Sequence, residues 1–153
     1  MAVELRTGTF ESTLDDKGRV GIPTKLRDRF EGELVITQGS QACVWIMTPA
    51  LWEQFQEKLE ASASSLTYEE YMAFKYQHEA AAQVAEIDKS GRIPVPAAIR
   101  KYAGLTRDCL VVSIEDHLEI WNAETYQAYM QEVRAKTREA MQKMGAVRLF
   151  NKD

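Results

Sequence analysis

The 153-residue sequence predicts an α+β fold: two tandem β units, flanked by helices and closed around one shared core. Three observations lead there. First, "LDDKGRVGIPTKLR" (Leu14–Arg27) returns later in the chain as "IDKSGRIPVPAAIR" (Ile87–Arg100). Asp15/Asp88, Gly18/Gly91, Arg19/Arg92, Pro23/Pro96 and Arg27/Arg100 are identical, and four further pairs exchange one aliphatic for another. Second, short β-branched or aliphatic runs lie between turn residues on both sides of each copy, which is strand composition. Third, a small β unit cannot bury both of its faces alone. Duplication is therefore first a folding device, with residues 1–77 and 78–153 as its halves.

Each half reads strand, tight turn, strand, short helix, strand, turn, strand, longer helix. "FESTL" (Phe10–Leu14) alternates inward apolar and outward polar positions, as a half-buried strand should. Gly18 and Gly91 supply the positive φ of a tight turn, and Asp15 and Asp88 stand where aspartate accepts turn N–H groups. Pro23 and Pro96 start short helices through their fixed φ, and Gly104 closes the second. "ELVIT" (Glu33–Thr37) answers "CLVVS" (Cys109–Ser113). "VWIMTPALWEQF" answers "LEIWNAETYQAY", with Val44/Leu118, Ile46/Ile120 and Trp52/Tyr126 in register. Thr48-Pro49 and Asn122 are start signals for the longer helices, and "ASASSL" (Ala61–Leu66) reads as a loop. Thr67 with Glu70 forms a capping box for a helix to about His78. Tyr126, Met130, Val133, Met141 and Met144 make a helical stripe, ended by Gly145, beyond which the last residues are expected to fray.

Composition narrows the function. No apolar run approaches the ~18 residues of a membrane span, and "MAVELRTGTF" lacks a signal-peptide core, so a cytoplasmic protein is expected. Cys43 and Cys109 sit in aliphatic surroundings with no metal-like spacing, and reduced buried thiols are expected. The net charge of −4 argues against nucleic acid, but its distribution matters more. Residues 15–29 hold Lys17, Arg19, Lys25, Arg27 and Arg29 against three acidic side chains.

Arg19 and Arg92 follow the turn glycines, so each is expected to leave a protruding hairpin tip. A guanidinium there can bridge phosphates or grip guanine O6 and N7. Lys17 stands beside Arg19 as a phosphate contact. Arg27 and Arg100 occupy matching helix positions; they either pair with the aspartate of the opposite hairpin or extend the basic face. Tyr68, Tyr71, Met72 and Phe74 have helical spacing, which points to core or subunit-interface packing rather than base stacking. His78 and His117 lack companion ligands, so no metal is expected. Gly39-Ser40 alone invites comparison with self-cleaving barrel proteins, and no nucleophile triad or phosphate loop accompanies it. No enzyme, cofactor or small-molecule substrate is expected.

The paired Asp-x-x-x-Arg turns, each followed by a strand and a proline-started helix, resemble the MraZ family of bacterial transcriptional regulators, associated with the division and cell-wall gene cluster. Phe10, "LVIT" and "WIMTPALWEQF" add to the resemblance, which runs from about Phe10 to Tyr129. It implies the swapped-hairpin fold of AbrB-like regulators, with two halves of one chain forming an intramolecular pseudo-dimer. It further implies sequence-specific binding to direct repeats upstream of the operon, assembly into a homo-oligomeric ring, and nucleoid association. The DNA-binding residues would be Arg19, Lys17, Arg92, Asp15 and Asp88. In one departure the second copy has Lys89-Ser90 where the first has Asp16-Lys17, so its turn lacks the Lys-Gly-Arg grouping. The competing expectation is an antitoxin-like protein-interaction module. Such a relative holds one hairpin unit and a disordered tail, whereas this chain has the unit twice and a tail patterned for a helix.

Overall fold

A computed structural model describes residues 2–145. The described residues fall into two compact units that divide after Ala123. The first holds strands β1 (Gly8–Thr13), β2 (Arg19–Gly21), β3 (Leu34–Gln38), β4 (Val44–Met47), β5 (Gln83–Ala85), β6 (Arg92–Pro94), β7 (Asp108–Ile114) and β8 (His117–Asn122). Among them lie helices α1 (Thr24–Arg27), α2 (Pro49–Ala61), α3 (Tyr68–Phe74) and α4 (Ala97–Ala103). The second unit is almost all of α5 (Ala123–Met144), and Gly145 follows it at φ 44°. The fraying expected beyond Gly145 falls outside the described residues. Among the described residues, no helix is long and apolar enough to cross a membrane.

The strands exchange between halves. β1 pairs with β7 of the other half, β5 pairs with β3, and β4 and β8 join the halves at the centre of a six-stranded sheet ordered β1-β7-β8-β4-β3-β5. β2 and β6 form a separate two-stranded antiparallel ribbon. The sheet order reads the same from either end when each strand is replaced by its repeat equivalent, which is the mark of a pseudo-two-fold. Its axis runs between Val20 and Ile93, which face each other across β2–β6, and between Trp45 and Glu119, which face each other across β4–β8. This is the swapped-hairpin pseudo-dimer the sequence predicts.

Strand register corrects one detail. The sequence aligns Glu33–Thr37 with Cys109–Ser113, but Ser12 pairs with Cys109 while its equivalent Ala85 pairs with Leu34. Leu34 is therefore the counterpart of Cys109, one residue on from the expected match. Both segments are nearly continuous apolar runs, so a slip of one leaves the hydrophobic pattern intact and the alignment blind to it.

The helix signals act largely as read. Thr48 accepts from Leu51 N at 3.2 Å with Pro49 in the first turn, and Thr67 and Glu70 make the capping box. Pro23 and Pro96 stand just before α1 and α4 with ψ near 140°, so each delivers the chain into the helix rather than occupying its first turn. The Ala61–Leu66 loop contains a short 3-10 turn at Ala63–Ser65. After α3 the chain continues as a π-helical turn, Lys75–Glu79, which carries the helix to the expected end near His78.

The core is one cluster drawn from both halves: Val20, Ile22 and Leu26 pack with Ile93, Val95 and Ile99, each 2 % exposed or less. Burying a side chain of this kind stabilises by roughly 1.5–3 kcal/mol. Cys43 and Cys109 are buried and unbridged, and burial pushes the Cys109 thiol up to about 11. Tyr68 is 77 % exposed and Phe74 39 %, so that helix does not supply core as one of its two readings had it. The buried ring at this end is His78: it stacks on Trp45 at 4.7 Å, and its Nδ1 donates to the Gln38 carbonyl at 2.8 Å.

We propose that halves 1–77 and 78–153 cannot close separately, because each lacks the strand that the other lends. A fragment of residues 1–77 should show no cooperative thermal transition as a monomer. A sharp transition in a monomeric fragment, followed by circular dichroism and sedimentation, would remove the shared-core account.

Candidate nucleic-acid interface

The two repeated turns are built alike from their sequence. In the first, Asp15 N donates to Arg19 O at 2.9 Å, Gly18 N donates to Asp15 O at 3.1 Å, and Gly18 has φ 78°. Asp15 Oδ1 accepts the N–H groups of Lys17 and Arg19, both at 2.9 Å. In the second, Asp88 Oδ1 accepts from Ser90 N at 2.9 Å and Arg92 N at 3.0 Å, and Gly91 has φ 81°. Both aspartates thus hold their turns through Oδ1, as the sequence suggested.

The other carboxylate oxygens face the arginines. Arg19 Nε meets Asp15 Oδ2 at 3.0 Å and Arg19 Nη1 meets Asp88 Oδ2 at 3.3 Å, so one guanidinium spans both turns. Arg92 Nη1 returns to Asp15 Oδ2 at 3.8 Å. Four of the five sequence-predicted site residues therefore meet in one charge cluster beside the pseudo-two-fold. This corrects the picture of arginines projecting from hairpin tips. Arg19 begins β2 and its side chain is only 33 % exposed; Arg92 is 36 % exposed. The tip residues of the first turn are Asp16 and Lys17, both exposed. The physical reason is the swap: bringing two hairpins together sets each arginine within reach of the opposite aspartate.

Hydrogen bonds from the Arg19 backbone hold the Asp15 carboxyl below the usual range against the opposing effect of burial, and Arg92 does the same for Asp88. A lowered folded pKa means stabilisation that is complete above the ordinary carboxylate value near ~4. It is lost as pH falls through the lower folded value.

Arg27 and Arg100 do reach the opposite hairpin, but they meet its glycine. Arg27 Nε donates to Ile22 O at 2.7 Å, and its guanidinium lies against Gly91, where a Cβ would come within 2.6 Å of Nη1. Arg100 Nη1 donates to Val95 O, and its guanidinium lies against Gly18, where a Cβ would come within 2.8 Å of Cζ. The sequence showed the matching positions of these residues but not their contact. The turn glycines consequently serve two needs, a left-handed backbone and room for a guanidinium.

A family profile described as "MraZ protein, putative antitoxin-like" matches residues 5–74 and again 80–148. The chain belongs to the MraZ family. Among its relatives, the "Transcriptional regulator MraZ" of Treponema denticola is 33% identical over 142 residues, covering 92% of this chain and 98% of the relative. The protein of the same name from Frankia alni is 40% identical over 125 residues, covering 81% and 85%. That from Lactiplantibacillus plantarum is 38% identical over 128 residues, covering 84% and 89%. The two profile matches fall on the two copies of the repeat, so the duplication read from the sequence is a family feature.

Gly91→Ala should destabilise the protein by more than Gly104→Ala. Gly104 has φ 61° with nothing near a new Cβ, so it carries the left-handed penalty alone, about 1–2 kcal/mol. Gly91→Ala adds the loss of the Arg27 contact, roughly 1 kcal/mol more. Urea unfolding of the two variants checks the order, and equal losses would mean that Arg27 yields freely.

Proposed function

We propose that this protein is a sequence-specific DNA-binding transcriptional regulator with no chemistry of its own. On this reading it acts at direct repeats upstream of its own operon in the division and cell-wall gene cluster. It works in the cytoplasm, associated with the nucleoid, as a ring of identical chains. The observation that carries the reading is the paired turn: two guanidiniums and the exposed Lys17 beside one pseudo-two-fold, in a family whose relatives bear the name of transcriptional regulators. Arg19 and Arg92 are the groups with the geometry to read guanine or bridge phosphates. Lys17 adds a phosphate contact. Asp15 and Asp88 shape the turns and hold the arginines until DNA displaces them.

An acidic chain with so few cations per turn pair gains limited affinity from phosphate neutralisation at physiological salt. A ring removes that limit, because identical turn pairs side by side engage successive repeats and each added contact is effectively intramolecular. The antitoxin-like alternative draws support from the description of the family as "putative antitoxin-like". Against it, residues 123–144 of the segment expected to mask a toxin by disorder form the 22-residue helix α5.

Arg19→Ala should abolish binding to the upstream DNA in gel shifts while keeping the oligomer and a Tm within about 3 °C of wild type, since a part-exposed arginine contributes little to folding. Arg92→Ala should weaken binding less, because its turn has Ser90 where the first has Lys17. Halving the number of repeats should cost the wild-type protein far more than twofold. Wild-type binding by Arg19→Ala would refute the assigned site, and affinity indifferent to repeat number would refute the multivalent mechanism.

A further inference from the structure

We propose that Arg27 and Arg100 are positioning residues, each fixing the DNA-facing turn of the opposite half; the inference rests on the DNA-binding reading above. The atoms form two closed loops. Ile22 N donates to Gly91 O at 2.8 Å, Ile22 O accepts from Arg27 Nε at 2.7 Å, and the Arg27 guanidinium returns to lie against Gly91. In the mirror loop Val95 N donates to Gly18 O at 2.9 Å, Val95 O accepts from Arg100 Nη1, and the Arg100 guanidinium lies against Gly18. Each loop starts in one half and grips the turn of the other. The first turn, with Lys17 and Arg19, is therefore braced by the second half, and the second turn, with Arg92, by the first.

The chemistry explains why arginine stands at both positions. A guanidinium is planar and weakly hydrated, so it can lie flat on a peptide whose residue has no side chain while its edge still donates to a carbonyl. Lysine offers a charge on a similar stem but no plate and no fork. Both arginines leave short proline-started helices whose buried residues, Leu26 and Ile99, belong to the common core. The brace is thus anchored on packing rather than on another loop. Base-edge hydrogen bonds demand placement within a few tenths of an ångström, whereas phosphate contacts tolerate much more. A device that fixes turn position serves base reading first.

The alternative role for these guanidiniums is direct phosphate contact, and the two roles separate experimentally. Arg100→Lys and Arg27→Lys keep charge and stem, so the full-length chain should still fold. In hydrogen exchange without DNA, Arg100→Lys should speed exchange of the Lys17 and Arg19 amides about tenfold and leave those of Ser90 and Arg92 unchanged. Arg27→Lys should do the reverse. With a duplex carrying the region upstream of the gene, Arg100→Lys should lose about tenfold in binding. Its affinity for a scrambled duplex and the salt dependence of binding should stay as in wild type. Exchange that rises in the same half, in both turns alike or in neither overturns the crosswise brace. Full binding by the lysine variants, with Arg100→Met lowering the salt slope by about 0.9, would make the residue a phosphate contact and overturn the positioning role. Should the wild-type protein bind no DNA, the regulator reading fails by itself, while the exchange measurement still decides the brace.

Discussion

Val20 and Ile93 face each other across the β2–β6 ribbon, both fully buried, and the rest of the first unit follows from that pairing. A three-residue strand has no stability of its own. Here it gains stability because its partner comes from the other copy of the repeat, and because the backbone continues the exchange on both sides. Ile22 N reaches Gly91 O and Val95 N reaches Gly18 O, so each chain segment leaving the ribbon is tied to the opposite turn. The crossing then sends β1 to β7 and β5 to β3, and the six-stranded sheet closes over the same apolar cluster. Neither half has a complete sheet edge or a complete core without the other.

The same crossing determines the electrostatics of the candidate interface. Were the turns apart, each Asp–Arg pair would be a local matter within one hairpin. Together, Arg19 spans Asp15 and Asp88, and Arg92 reaches Asp15. The four side chains sum to no net charge, which fits a chain of net charge −4 better than an open basic patch would. Nucleic-acid binding at such a site is an exchange of carboxylate for phosphate or base acceptor, not a capture by an unpaired cation. An exchange of that kind is nearly balanced for generic backbone. It becomes favourable where the replaced bonds are better directed, as in a bidentate grip on guanine.

The pattern of what the sequence made legible follows from range. Local chemistry was readable: the aspartate-glycine turns, the Thr48-Pro49 start, the Thr67/Glu70 capping box and the closing Gly104 all depend on neighbours within four residues. The tandem arrangement was readable because the repeat is long and doubled. What escaped depends on contacts between distant segments. The match of Leu34 to Cys109 is set by β1 and β5, which the apolar runs themselves do not encode. The second carboxylate that Arg19 meets, Asp88, lies sixty-nine residues away in the sequence. Arg27 and Arg100 stood out by position, but a side chain that packs on a glycine leaves no polar partner in the sequence to pair it with. The π-helical turn that brings His78 under Trp45 has no periodic signature in so short a segment.

These constraints bear on why Gly18/Gly91, Arg19/Arg92, Pro23/Pro96 and Arg27/Arg100 are the same in both copies while most other positions differ. Gly18 and Gly91 must admit a guanidinium as well as a left-handed backbone; Arg27 and Arg100 must be flat; Pro23 and Pro96 must deliver the helices that carry those arginines. Asp16-Lys17 against Lys89-Ser90 lies outside this set, at exposed turn positions. Those two positions are free to differ, and a difference there makes the two turns unequal in charge while leaving them equal in geometry. For a DNA-binding role this gives one turn pair a direction: a pseudo-symmetric frame presents Lys17 on one side and Ser90 on the other. On the proposed function the DNA sites are direct repeats, which also have a direction; a symmetric reader could not sense it, whereas an asymmetric pair would.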